Sequence, residues 1–509
     1  MGHEIELKFL IADEAVEAVL ARLQGQAAVR QLDAVYYDTA DHALRRAGFG
    51  LRIRDGEGGR KQTLKSASAG GVFTRGEWES RVEGFEPDRR LLAETPAAHL
   101  LNGDALVPVF STQVERQVRL IQHGGATIEA ALDRGTLTSG DCRATVCELE
   151  LELKSGPPAA LFALARDLAA HAPLRLSLVS KAERGYALAL DSGEQRRLGV
   201  DRDGFVLRPD LTAGQALQAL GQSALARLCA DGESLRERPS PEAVHRLRVA
   251  ARRFRALLSA FKALAGDPAA RRLREELKWL AGALGPARDL DVFIDEVWRP
   301  AATTPPSADK GDAEGHAQAL VAFGRALLDA QVTAYGRTLA ALDSDRYRAL
   351  TLEAAAWLEA GPWLTAPGLA KARDGAAVDL AHKALTKRRQ AILKRGKDLA
   401  DLDPEARHAL RIKGKVLRYA AEDLEPLFPD HPKRARRFIE AVKTLQDTLG
   451  ALNDLIARDA LAKAVVLASD DAEAAFAAGQ LTAPAEAESL LLPAAVAAFE
   501  RFAQAKPFW

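Results

Sequence analysis

The side chains best placed to do chemistry lie in two stretches where charged and apolar residues alternate. One is Glu4-Ile5-Glu6-Leu7-Lys8 at the start of the chain; the other is Glu148-Leu149-Glu150-Leu151-Glu152-Leu153-Lys154. A period of two is that of a β-strand, which sends successive side chains to opposite faces. Glu4, Glu6 and Lys8 therefore share one face, and the second stretch puts three glutamates and a lysine on one face. Two carboxylates at i and i+2 lie within reach of one hard cation, and a lysine beside them can hold an anion. The solvated face of an edge strand has the same pattern, so the elements around these stretches must decide.

Those elements repeat the theme through the first 200 residues. Period-two segments follow one another between Gly- and Asp-rich turns. Gly50 to Asp55 puts Arg52 and Arg54 on one face, and Arg60 to Lys65 does the same with Lys61, Thr63 and Lys65. Val72 to Val82 has Arg75, Glu77 and Glu79 in phase; Val114 to Ile121 carries Arg116; Thr127 to Asp133 aligns Glu129 with Asp133. The turn spacing predicts an antiparallel β domain of about eight strands. Strand after strand pairs an apolar face with a face of mixed Glu, Arg and Lys. A closed barrel with a charged, water-filled interior and helices over its apolar outside makes sense of that pairing. Carboxylates alone would bind metal, and guanidinium and ammonium groups alone would bind phosphates. Both together suit a metal-polyphosphate complex.

The ordered set resembles the CYTH domain of the triphosphate tunnel metalloenzymes. Glu4-Ile5-Glu6-Leu7-Lys8 looks like its ExExK signature. The likeness continues through Leu51 to Arg54, Gln62 to Lys65, Ala131 to Gly135, Glu148 to Lys154 and Ser180-Lys181-Ala182-Glu183-Arg184-Gly185-Tyr186. The resemblance implies an eight-stranded tunnel that hydrolyses or cyclises triphosphates with Mg²⁺ or Mn²⁺. Carried over, it implies metal ligands at Glu4, Glu6 and two of Glu148, Glu150 and Glu152, with Asp133 ligating metal or orienting water. It implies triphosphate contacts at Lys8, Arg52, Arg54, Lys65, Arg116 and Lys181, with Glu129 and Arg184 behind them. Lys8 and Lys181 join Glu4, Glu6 and Asp133 as the expected catalytic set.

Beyond Asp210 the texture changes: Ala, Leu and Arg dominate and the apolar spacing becomes helical. The predicted division is a tunnel domain over 1–200, a linker over 201–211 and an all-α domain over 212–509. Helices are predicted at, among others, Pro241–Ala265, Asp289–Val297, Pro404–Leu424, Pro432–Leu449 and Leu452–Leu467, and Arg299 to Gly315 reads as a loop. An internal repeat emerges. Ser240-Pro241-Glu242-Ala243-Val244-His245 aligns with Asp403-Pro404-Glu405-Ala406-Arg407-His408. His245, Arg248, Arg252 and Arg255 then pair with His408, Arg411, Lys415 and Arg418, a stripe along each of two helices. Leu284-Gly285-Pro286-Ala287-Arg288-Asp289 pairs with Leu449-Gly450-Ala451-Leu452-Asn453-Asp454. The stripes hold almost no compensating acid at i±4, which points to an anion groove between two bundles related by a pseudo-twofold axis. Lys383, Lys387, Arg388 and Arg389 head a third basic helix. This region resembles the CHAD domain, and the resemblance implies binding of inorganic polyphosphate.

Composition adds little direction. Lys plus Arg and Asp plus Glu number 70 each, so any anion site must come from local clustering. Cys142, Cys147 and Cys229 form neither a disulfide framework nor a zinc spacing. No apolar run approaches the ~20 residues of a membrane span, and the expected location is the cytoplasm, with polyphosphate granules as a candidate address. The expected activity is an inorganic triphosphatase. The alternatives are a nucleoside or thiamine triphosphatase or a cyclase in the same tunnel, for which Tyr36, Tyr37, Phe73 and Trp78 could stack a base, and a non-catalytic polyphosphate scaffold. Nucleic acid is disfavoured because no aromatics interleave the basic stripes. The oligomeric state is not legible.

Overall fold

A computed structural model describes residues 5–56, 58–66, 76–101, 103–190, 207–304, 313–469, 471–482 and 485–509. Glu4, Phe73 and Arg75 lie outside them, as does most of the predicted linker. The chain divides into two compact units: 1–206 with 221–230 and 348–364, and 207–220 with 231–347 and 365–509. No helix among the described residues is long and apolar enough to cross a membrane.

The first unit is built on one antiparallel sheet. Its strands are β1 (Glu6–Leu10), β2 (Ala28–Thr39), β3 (Phe49–Asp55), β4 (Lys61–Ser66), β5 (Glu77–Arg81), β6 (Leu106–His123), β7 (Ala126–Ser139), β8 (Cys142–Ser155) and β9 (Arg175–Leu176). They pair in the order β5-β4-β3-β2-β6-β7-β8-β1-β9. That is nine strands rather than about eight, and among the described residues no ladder joins β5 to β9. The register sorts the side chains as the alternation predicts. Lys8 opposes Glu150 across β1 and β8, and Glu6 opposes Glu152. Asp133 lies between Arg116 on β6 and Glu148 on β8. The opposite face is apolar and covered. Leu7, Phe9, Leu149 and Leu151 are no more than 1% exposed. Leu51, Ile53 and Leu64 join Leu44 and Leu92 in a buried cluster.

Helices flank this sheet, among them α1 (Val16–Arg22), α2 (Ala43–Arg46), α3 (Pro158–Ala169) and α4 (Lys181–Ala189), with a short one at Arg89–Ala93. The sequence reading had no helix at α4, although its start is marked. Ser180 accepts the Glu183 amide, and the Glu183 carboxylate accepts the Ser180 amide in return, a reciprocal capping box. Gly185 lets α4 lie close, because a Cβ there would stand 2.1 Å from the Phe110 ring. Tyr186 then donates its hydroxyl to the fully buried carboxylate of Asp38 at 2.7 Å. That carboxylate also accepts the amides of Thr39, Leu44 and Arg45, so α2 and α4 share one anchor.

The second unit is helical. Its longer helices are α5 (Ala213–Glu237), α6 (Pro241–Ala260), α7 (Pro268–Ala283), α8 (Gly285–Phe293), α9 (Ala313–Asp343), α10 (Asp345–Ala360), α11 (Ala377–Arg395), α12 (Pro404–Leu424), α13 (Pro432–Ser469), α14 (Ala472–Leu481) and α15 (Ala485–Gln504), of which α5 and α10 pass through both units. Both repeat helices are capped in the same way: Ser240 accepts the Ala243 amide and Asp403 the Ala406 amide. Three expectations are corrected. The two helices expected over 432–467 are a single helix, α13. α8 begins at Gly285, not Asp289, and runs into a π-helical turn, Ile294–Trp298. The start of the expected loop, Arg299–Thr303, is helical.

Candidate functional site

The charged face of the sheet carries a network centred on Lys181. Its ammonium lies 2.7 Å from Asp133, 2.7 Å from Glu148 and 3.0 Å from Glu150. Arg116 forks onto Asp133 with two bonds of 2.6 Å and extends to Glu150. Lys8 stands 3.2 Å from Glu150 and 3.9 Å from Glu148. Arg184 binds Glu148 and the Thr145 carbonyl. Four cations thus grip three carboxylates, of which Asp133 is 1% and Glu148 0% exposed.

The electrostatics follow from that packing. Burial alone would push the Glu150 carboxyl up, but Lys181, Lys8 and Arg116 outweigh it and hold it well below the usual carboxylate range. Burial opposes the low Glu148 value too, and Lys181 and Lys8 overcome it. In the other direction, burial would strip the Lys181 proton, yet Glu150, Asp133 and Glu148 raise its value. Glu148, Glu150 and Lys181 are therefore charged near neutrality.

Among the described residues Arg52 has no carboxylate partner of this kind. Its guanidinium reaches the Tyr36 hydroxyl at 3.5 Å. Burial would raise that phenol, but Arg52 first, then Lys181 and Lys65, pull it below the ordinary range. Tyr36 is thus surrounded by cations from β3, β4 and α4. Arg54 is 3.9 Å from Glu79, which also takes Lys61 at 2.6 Å, and Lys65 is 3.1 Å from Glu77. A second acidic group lies along the same face: Glu6, Glu152 and Glu129 are successive register partners across β1, β8 and β7. The Lys154 ammonium stands 2.6 Å from Glu152 and 3.7 Å from Glu129, so this carboxylate group already accepts a cation. Among the described residues no three acidic, His or Cys side chains converge closely enough to hold an ion as they stand.

Two of the aromatics considered as base-stacking platforms are not available for that role. Tyr36 is 5% exposed and stacked on Phe110 at 4.3 Å. Tyr37 is 8% exposed and gives its hydroxyl to the Phe85 carbonyl. Trp78 packs against the buried cluster under β3 and β4.

In the helical unit the two stripes meet. α6 and α12 pack together, and their cations sense one another. Burial, with Arg411, Arg252 and Arg248, pushes the Lys415 ammonium down to about 7. Burial and Arg248 lower Arg252 to about 10. Burial, with Arg288, Arg252, Arg248 and Lys415, lowers His245. The repeat is preserved in the contacts. Arg248 pairs with Asp289 at 3.0 Å and passes over Gly285; Arg411 pairs with Asp454 at 3.7 Å and passes over Gly450. Compensating acid is therefore present on another helix in each repeat, and Glu422 supplies more at i+4 from Arg418, 3.2 Å away. Gln446 accepts from Arg418, and Asn453 bonds His408. Lys415, Arg252 and Arg255 make no ion pair among the described residues. Arg253 carries no signal in the sequence pattern; it bonds both Glu422 and Asp423 at 2.9 Å and ties α6 to α12. On α11, Arg389 bonds the Ala503 and Ala505 carbonyls and Arg388 bonds Ser259, so part of the third basic helix is structural.

Comparison with known proteins agrees with both halves. Residues 2–186 match the CYTH domain family and residues 219–463 the CHAD domain family. The chain therefore combines a CYTH domain with a C-terminal CHAD domain. It is 31% identical over 196 residues to an inorganic triphosphatase of Haemophilus influenzae, across 37% of this chain and 55% of that protein. This chain thus matches only about half the length of that relative. An uncharacterized protein of Mycobacterium tuberculosis is 27% identical over 501 residues, 94% of this chain and 92% of its own. The crystal structure of the CHAD domain from the plant Ricinus communis superposes with TM-score 0.50 and 26% identity, over 58% of this chain and 94% of that one.

Proposed function

We propose that the CYTH domain hydrolyses inorganic triphosphate to pyrophosphate and phosphate with Mg²⁺ or Mn²⁺, and that the CHAD domain binds inorganic polyphosphate in the groove between α6 and α12. The functional division would fall in 201–211. The observation that carries the reading is the mixed network on one sheet face: four cations gripping three carboxylates, with Arg52 beside them, lacking a carboxylate partner among the described residues. A pure phosphate binder has no use for these carboxylates.

In this reading Arg52, Arg54, Lys65, Arg116, Lys8 and Lys181 hold the phosphate chain. Asp133 and Glu148, almost wholly buried, aim Arg116, Lys181 and Arg184 at it. Glu6, Glu152 and Glu150 supply hard oxygen donors for a divalent ion, joined by Glu4 on sequence grounds alone. Such an ion, when bound, would polarise the phosphoryl oxygens and neutralise their charge. Phosphoryl transfer needs positioning and charge stabilisation more than covalent help, which suits a rigid, pre-paired network. Tripolyphosphate should be a better substrate than ATP, since Tyr36 and Tyr37 offer no free ring to a base. Phosphate release from tripolyphosphate, ATP and thiamine triphosphate, each with Mg²⁺ and with Mn²⁺, tests this. A larger kcat/KM for ATP, or a cyclic nucleotide product, would replace the reading.

A further inference from the structure

The groove and the sheet face leave one strongly basic cavity unexplained. It encloses ≈ 580 Å³, with His431, Lys433, Arg434, Arg437 and Lys506 around it and Asp430 as its only acid. Its walls come from two segments far apart in sequence, 430–438 and 505–506. Lys433, Arg434, Arg437 and Lys506 make no ion pair or side-chain hydrogen bond among the described residues, unlike the paired cations of the sheet face. Their placement costs stability. Lys433 and Arg437 are i,i+4 neighbours, Arg434 and Arg437 are i,i+3 neighbours, and like charges so spaced repel. The opening turn of a helix disfavours cations as well. A bound anion relieves both.

The cavity is separate from the groove. α13 meets the groove through Gln446, Asn453 and Asp454, and Arg437 is nine residues before Gln446, about 13 Å along the helix axis. Its shape also limits the ligand. The volume falls within the range of small-molecule sites. The apolar wall is Phe438, which is fully buried and already packed against Trp509 at 4.8 Å and Phe508 at 5.9 Å. No ring face is free to stack a base. Flexible lysines and arginines around an open cavity of this size match a compact, highly charged anion.

We propose that this cavity binds a short inorganic oligophosphate of pyrophosphate to tripolyphosphate size, at a site distinct from both the tunnel and the groove. It stands whether or not the tunnel is catalytic. The test uses the full chain without added metal and an amine-acylating reagent read by mass spectrometry at Lys433 and Lys506. Exposed Lys262 serves as the control. Tripolyphosphate at about ten times its dissociation constant should slow acylation of both lysines about tenfold, with Lys262 unaffected. The double variant Arg434→Gln/Arg437→Gln, on an exposed surface, should lose that protection while its melting temperature holds or rises slightly and its tripolyphosphate turnover is kept. Equal protection of Lys262, the same protection from sodium chloride at matched ionic strength, or stronger protection by an oligonucleotide would overturn the proposal. So would protection that survives in the double variant.

Discussion

Lys181 balances the charges of the sheet face, and its removal should show in two ways. Lys181→Met would leave Asp133, Glu148 and Glu150 crowded with too few cations. Breaking a buried network from one side costs about 3–5 kcal/mol, so the melting temperature of the sheet unit should fall together with turnover. Lys181→Arg should restore much of the stability but not the full rate, because a planar fork cannot reproduce a point charge shared among three carboxylates. Glu6→Ala and Glu152→Ala should act differently: metal-dependent hydrolysis is lost while the unfolding free energy stays within about 1 kcal/mol of wild type. Near-normal turnover in either would remove these residues from the metal assignment. The carboxylates also set a pH dependence. Glu150 is held low in the folded state, so the stability it adds is present above its unfolded value and lost as the pH falls through the folded one. The gap in stability between wild type and Glu150→Gln should therefore be constant at neutral pH and close only below about pH 4. Melting curves of the two proteins across pH measure that gap.

At the level of elements, α4 shows what was legible and what was not. The strands were readable because each buries one face, and a period of two then exposes the other to inspection. The residues of α4 were readable as a motif, but not as a helix. It is short, and its stability comes from docking rather than from a long apolar stripe. The Ser180–Glu183 box was the available signal. Gly185→Ala tests the docking. The added methyl meets the Phe110 ring, so α4 must shift, carrying Lys181 and Arg184 with it. Turnover and stability should drop together, and Phe110→Leu in the same chain should recover part of both. Full activity in the single variant would mean that the exact seat of α4 does not matter. The misplaced break within α13 has a related cause. Gly450 resembles a helix stop, because glycine costs about 1 kcal/mol inside a helix. Here its missing side chain makes room for Arg411, whose guanidinium would stand only 3.4 Å from a Cβ at that position. A rule based on local propensity could not see a partner that lies 39 residues earlier in the chain. The same limit hid Arg253, whose partners Glu422 and Asp423 belong to the other repeat.

For the whole molecule, the groove prediction is electrostatic. Arg252→Glu with Lys415→Glu should abolish binding of long polyphosphate and leave tripolyphosphate hydrolysis in the other unit intact. Affinity in the wild type should fall steeply with salt, as counterion release requires. Protonation adds a sign. With Lys415 pushed down to about 7, its ammonium loses its proton as the pH rises through that value, and a polyanion favours the protonated form. Affinity should therefore weaken from pH 6 to about pH 8, and Lys415→Arg should flatten the trend. Titration calorimetry at several pH values measures both; a flat profile in the wild type would take Lys415 out of the groove.

Arg248 over Gly285 and Arg411 over Gly450 make two copies of one grip, on helices tied together by Arg253. A linear polyphosphate has no chemical sense of direction: read from either end, its repeat is the same. A cradle assembled from two equivalent halves accepts such a chain in either orientation, so no encounter is wasted on the wrong polarity. A peptide or nucleic acid, which does have a direction, would present different groups to the two halves whichever way it entered, so it could match only one half at a time. The duplication is thus itself a filter, favouring a polymer without polarity.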